Sequence, residues 1–184
     1  ELVPDKKADL PTLIFKSPLT PIIKFFFFIQ KGPNDDVHKS LKILMKIQSP
    51  GEIFNQETSS GKFLYKRFVY INKKYEALLE QAQKNVTADT LFLFYYTEDQ
   101  WSFTANLANE LTALYPQKIV IIARKKSGEM KCSIRAQTPI AEPLQKALVG
   151  INGYGGGHPN ACGAMVKEED WDRFLENFRM ELGE

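Results

Sequence analysis

Residues able to do chemistry gather in two short segments. Residues 153–163 read GYGGGHPNACG. Three consecutive glycines followed by His-Pro exceed the needs of a turn, since each glycine costs folding entropy and one or two suffice to reverse a chain. A glycine run lets backbone N–H groups come close to a ligand, as anion-binding loops require. Gly155, Gly156 and Gly157 therefore form a candidate anion-binding loop. His158, held by Pro159, would be presented to the same ligand, with Asn160 beside it. The plainer alternative is a glycine-rich turn with a surface histidine.

The second segment is KCSIR, residues 131–135. In a strand the side chains alternate, so Lys131, Ser133 and Arg135 share one face while Cys132 and Ile134 share the other. A cation, a hydroxyl and a guanidinium in a row suit phosphate, which arginine grips through two parallel hydrogen bonds. Taken alone, the segment also fits an ordinary strand with one wet face.

The order of the two segments narrows the choice. A strand with S-x-R, a short helix, GGGHPNACGA and a closing helix together resemble the DHH-associated C-terminal domain of DHH-family phosphoesterases. That group includes RecJ-type exonucleases, nanoRNases and exopolyphosphatase-like proteins. The resemblance covers residues 89–184. It implies that His158 and Arg135 contact the substrate's phosphate, with Ser133, Gly155, Gly156, Gly157 and Asn160 as neighbours. A related domain of alanyl-tRNA synthetases has glycine runs with a different continuation. SPLTPIIKFFFFI, near the start, loosely resembles the helical connector of archaeal-type RecJ-like proteins.

In that family the catalytic lobe binds two divalent metals, Mn2+ or Mg2+, through motifs that include Asp-His-His. No DHH occurs in this sequence. Asp35, Asp36 and His38 come nearest, but acidic residues in a helix's first turn complement its dipole, and no second cluster completes a dinuclear site. The resemblance thus implies a substrate-binding part whose metals sit on a lobe outside this chain, so that no cofactor is expected here and this segment alone should be inactive.

Other candidates are weaker. Glu168, Glu169, Asp170 and Asp172 open the last helix and suit its dipole better than a metal. Arg124, Lys125 and Lys126 precede a turn and read as a solvated surface. Tyr95, Tyr96, Trp101 and Phe103 could stack bases, although core packing is the default for them.

The elements that must position these residues fall into two modules. Residues 1–88 read as an all-helical connector. An irregular lead-in covers 1–16. A phenylalanine-rich helix follows, capped by Ser17 or Thr20 and ended at Gly32. A second helix is capped by Asn34 or Asp35 and stopped by Pro50 and Gly51. A third segment runs over 52–88 with a wide apolar stripe. Residues 89–184 read as an α/β domain with a mixed sheet, in the order strand, helix, strand, hairpin strand, helix, glycine loop, strand, helix.

Composition is that of a globular protein, with 43% hydrophobic and 25% charged residues among 184. A net charge of +2 argues neither for nor against nucleic acid. Cys132 and Cys162 read as free core thiols. The longest apolar run, residues 22–29, is too short for a bilayer, so no membrane partner is expected. Few cysteines and no leader pattern make the cytoplasm the expected compartment.

Three functional readings result. The leading one is the substrate-binding part of a phosphoesterase acting on single-stranded nucleic acid or short oligonucleotides, with the upstream DHH lobe as its partner. The second is a non-catalytic nucleic-acid-binding or replisome scaffold, with replication proteins as partners. The third is a small-molecule phosphatase acting on pyrophosphate, polyphosphate or cyclic dinucleotides.

Overall fold

A computed structural model describes residues 10–97 and 101–183. Most of the lead-in, together with Glu98, Asp99 and Gln100, lies outside these residues. The chain forms two compact units, residues 1–78 and 79–184.

The first unit is helical: α1 (Leu10–Phe15), α2 (Thr20–Ile29), α3 (Asn34–Leu44), α4 (Pro50–Phe54) and most of α5 (Ser59–Lys84). Its core is aromatic. Phe25 and Phe28 from α2 meet Phe68 and Tyr75 from α5, with ring centroids 5.8 Å apart for Phe25–Phe68 and 4.9 Å for Phe28–Tyr75. The phenylalanine run therefore does pack inward at Phe25, Phe28 and Ile29, while Phe26 and Phe27 stay exposed. No helix of the described residues is long and apolar enough to cross a membrane.

Several boundaries differ from expectation. Residues 10–15 are helical rather than irregular. Pro50 and Gly51 start α4 instead of only stopping α3, because proline suits the first turn, where its missing N–H is no loss. Pro33 stands at the N-cap of α3, displacing Asn34 and Asp35 into its first turn. At α2, Leu19 is the N-cap residue; Ser17 Oγ accepts from the Leu19 amide at 3.1 Å, and Thr20 Oγ1 accepts from the Ser17 amide at 3.1 Å. α5 runs as one helix to Lys84, so the chain leaves the first unit without a break in its helical pattern.

The second unit is a five-stranded mixed sheet, order β1-β2-β3-β5-β4, with helices α6 (Thr104–Leu114), α7 (Ala141–Ala147) and α8 (Trp171–Leu182). β1 (Leu91–Thr97) pairs in parallel with β2 (Ile119–Lys126), and α6 makes the crossover that parallel strands require. β2 turns into β3 (Glu129–Arg135) through Ser127 and Gly128, both at positive φ (53° and 73°), the geometry of a tight two-residue hairpin. β5 (Ala161–Lys167) inserts between β3 and β4 (Gly153–His158), antiparallel to both. One face carries Ile121, Cys132, Ile134, Cys162, Ala164 and Val166, buried against α7 and α8 through Leu144, Ala147, Trp171, Phe174 and Phe178. The opposite face of β2 and β3 packs on α6, whose Leu107 and Leu111 are fully buried.

The glycine segment corrects the sequence reading most clearly. Gly153 to His158 is a strand, not a loop. Glycine has low strand propensity, but antiparallel pairing with β5 along the whole segment supplies the order that side chains do not. The acidic cluster is also displaced: Glu168, Glu169 and Asp170 form a 3-10 turn ahead of α8. There Asp170 Oδ2 accepts from the Asn152 amide at 2.8 Å and Oδ1 accepts from Arg173 at 2.9 Å.

Candidate phosphate-binding surface

Strand register brings the two chemical segments together. Arg135 on β3 pairs with Ala161 on β5, and Ala161 pairs with His158 on β4. Directly paired residues share a face, so Arg135, Ala161 and His158 form one row across three strands, with about 10 Å between the outer backbones from two strand spacings. The next row on that face is Ser133, Gly163 and Gly156, and the one after it Lys131, Met165 and Tyr154. Where α6 ends its cover, this face becomes a shallow floor of Ala161, Gly163 and Gly156, bounded by Arg135 on one side and His158 on the other.

Arg135 is anchored before any ligand arrives. Its Nε donates to Asn109 Oδ1 on α6 at 2.7 Å, and its Nη1 donates to the carbonyls of Ile134 and Cys162, each at 2.9 Å. Nη2 makes no hydrogen bond within the described residues and is left for a guest. Burial pulls the guanidinium below its ordinary pKa while the Cys162 thiol pushes it back up; arginine stays charged at any working pH regardless. His158 is exposed, and its carbonyl accepts from Cys162 Sγ at 3.2 Å. Asn160 lies in the exposed turn between β4 and β5, its carbonyl holding the Ala136 amide at 3.1 Å. Ser133 shares the Arg135 face but is only 8% exposed. It lies beneath the α6-covered part of that face, which limits its reach to a ligand. Lys131 is drawn to Glu129 Oε2 at 3.3 Å.

The glycines have different reasons for being glycines. A Cβ at Gly153 would stand 2.5 Å from the Met165 carbonyl, and one at Gly155 2.8 Å from the Gly163 carbonyl and 2.9 Å from Ala164 Cβ. Gly157 sits at φ +150° with the Ala161 carbonyl 2.4 Å from such a Cβ. Packing and backbone geometry exclude side chains at all three. Gly156 is otherwise: its Cβ would meet only Gln145 Nε2, at an ordinary 3.6 Å. The fold tolerates a side chain there, and the bare backbone serves the floor.

The remaining candidates fare unequally. Tyr96, Trp101 and Phe103 are buried, and the Phe103 amide donates to Tyr96 Oη at 2.7 Å, so they build the core. Tyr95 is 64% exposed on edge strand β1. Lys125 pairs with Glu168, which occupies that part of the basic hairpin. Cys132 and Cys162 are free and buried. Burial pushes the Cys132 thiol up to about 12, with a hydrogen bond to the Ala164 backbone opposing.

The described residues do not fit a metal centre. Among the described residues no three His, Cys, Asp or Glu side chains converge. Asp36 is instead engaged by Arg67 Nη1 at 3.5 Å. Three residues escaped the sequence reading. Asn109 and Gln145, the latter donating to the Gly155 carbonyl at 3.0 Å, act across tertiary contacts without a local signature. Tyr154, 67% exposed, could have been found from its place two residues before Gly156.

The DHHA1 domain family matches residues 75–184, and the chain belongs to it. Among solved structures, RecJ from Thermus thermophilus in complex with Mg2+ is 17% identical with a TM-score of 0.62; the match covers 86% of this chain and 24% of that one. An exonuclease RecJ bound to manganese is 13% identical with a TM-score of 0.51, covering 91% and 51%. The C-Ala domain of alanyl-tRNA synthetase from Aquifex aeolicus is 20% identical with a TM-score of 0.45, covering 54% and 96%. The chain thus spans a quarter to a half of the RecJ chains it is similar to. No match was found among curated proteins.

Proposed function

We propose that this chain is the substrate-binding part of a DHH-family phosphoesterase, gripping a phosphate of single-stranded nucleic acid or a short oligonucleotide. Hydrolysis would require Mn2+ or Mg2+ on a DHH lobe that these residues do not contain. The observation that carries the reading is the row Arg135, Ala161, His158 beside bare Gly156. A pre-anchored guanidinium with Nη2 uncommitted faces an exposed imidazole across a floor of small residues, Ala161, Gly163 and Gly156. A phosphate resting on that floor receives a charged hydrogen bond from Arg135 and a second hydrogen bond from the His158 imidazole. The Gly156 backbone permits close approach. Tyr154, on the same strand face, offers a ring to a neighbouring base. The RecJ likeness supports the fold that such a part requires, and the compartment best suited to it is the cytoplasm.

The test is fluorescence anisotropy of short labelled single-stranded DNA and RNA with Mn2+ present, cleavage being followed on a gel. Binding without cleavage is expected. A charged hydrogen bond is worth about 1.5–3 kcal/mol, so Arg135→Ala should weaken binding roughly tenfold to a hundredfold, and His158→Ala by a smaller factor. Wild-type affinity in both variants would refute the phosphate grip.

A further inference from the structure

The two units treat charge in opposite ways. Residues 10–78 hold eleven Lys and Arg against five Asp and Glu; residues 79–184 hold eleven against fourteen. In the α/β unit many exposed cations are neutralised where they stand: Lys84 by Glu80, Lys125 by Glu168, Lys146 by Glu142, Lys167 by Glu129. In the helical unit Lys42, Lys46, Lys62, Lys66 and Lys73 are all exposed and make no ion pair within the described residues. No acidic residue occurs over 37–51 or 58–75. Lys62 and Lys66 stand four apart on α5, where like charges repel, and Lys46 follows the end of α3, which carries Lys42.

These lysines are interleaved with rings. Positions 62, 66, 70 and 73 recur at three- and four-residue steps and so share one face of α5 for about 17 Å. Tyr70 on that face is 57% exposed, with the Lys74 ammonium 5.8 Å from its ring centre. Lys39 of α3 reaches across to lie 4.9 Å from the centre of the Phe63 ring on α5, which joins the lysines of α3 to those of α5. Unneutralised cations on either side of the exposed Tyr70 ring match what a single strand offers, a regular line of phosphates with unstacked bases.

We propose that this face of α3 and α5 is a second binding surface, taking the sugar–phosphate backbone of single-stranded nucleic acid with a base stacked on Tyr70. It lies in the helical unit and involves neither Arg135 nor His158, so its residues are independent of the phosphate grip of the α/β unit.

The test uses the full chain with fluorescein-labelled 15-mers of dT and of U, titrated between 25 and 300 mM KCl. Combined Lys42→Ala, Lys66→Ala and Lys73→Ala should raise Kd at least tenfold at low salt. It should also flatten the dependence of log Kd on log[KCl] by about two, from about 0.7 per phosphate contact on a single strand. Tyr70→Ala should weaken binding about fivefold or more and leave that slope unchanged. Lys66→Gln alone should show part of the triple effect. Circular dichroism should be unaltered, because the replaced side chains are exposed. Wild-type affinity and slope in the triple variant would overturn the proposal, and so would an equal loss for duplex of the same length. If Arg135→Ala is silent while the triple variant weakens binding, the phosphate grip fails and this surface stands; the reverse pattern overturns this surface alone.

Discussion

Arg135 Nε donates to Asn109 Oδ1 at 2.7 Å, so the candidate phosphate ligand on β3 is aimed by a helix residue that lies 26 positions earlier in the chain. With Nε and Nη1 both held, the guanidinium plane is fixed and a ligand need not order a flexible side chain, which would otherwise cost about 0.5–1.5 kcal/mol.

Asn109 is accordingly a positioning residue. Asn109→Ala should weaken oligonucleotide binding about threefold to tenfold although Asn109 contacts no ligand. The effect should vanish in an Arg135→Ala background, which a double-mutant cycle by anisotropy measures. Full additivity of the two substitutions would show that the contact does not aim Arg135.

Neighbouring glycines should separate folding from binding. Gly155→Ala places a Cβ within 2.8 Å of a backbone carbonyl and should destabilise the α/β unit by about 1–3 kcal/mol in urea melts. Gly156→Ala should leave the melt within about 0.5 kcal/mol of wild type yet weaken phosphate-dependent binding several-fold. Equal melts with equal affinity for Gly156→Ala would remove the floor from the site.

Tyr154 distinguishes substrate classes. If a base stacks on its ring, Tyr154→Ala should cost about 1–3 kcal/mol of oligonucleotide affinity, roughly fivefold to a hundredfold. Competition by pyrophosphate should be unchanged in the same variant. A variant that loses both equally, or neither, speaks against base stacking at this position.

Cys132 should make stability fall at alkaline pH. Its thiol is pushed from 9.0 to about 12 by burial, so the folded state keeps a proton that the unfolded state loses above pH 9. The contribution is fully present below pH 9 and is lost between pH 9 and 12, at up to about 1.4 kcal/mol per pH unit. Urea melts of wild type and Cys132→Ala across roughly pH 8–11 should converge as pH rises. Below pH 9 the native thiol should resist alkylation until denaturant is added.

Much of the α/β unit was legible because its signals are local. The Ser127-Gly128 turn announces the β2–β3 hairpin, and continuous apolar runs announce β1 and β2. β4 was not legible as a strand, since its partner β5, rather than its own residues, makes it one. Strand alternation predicts one face for Lys131, Ser133 and Arg135, and the register has them so, but the burial of Ser133 under α6 depends on a tertiary contact that alternation does not encode. The charge partition was hidden for another reason: the excess of one unit offsets the deficit of the other, and a total of +2 reports neither.

β4 lies at the margin of the sheet, attached along one side, and four of its six residues are glycines. Few side-chain contacts hold it, so its local opening should need less free energy than that of the central strands, and its amides should be among the first in the sheet to exchange with deuterium. A ligand resting on Gly156 and His158 would lend the strand the protection that its composition withholds. Recognition at this site and the ordering of its own scaffold would then be a single event, visible as slowed exchange over residues 153–158.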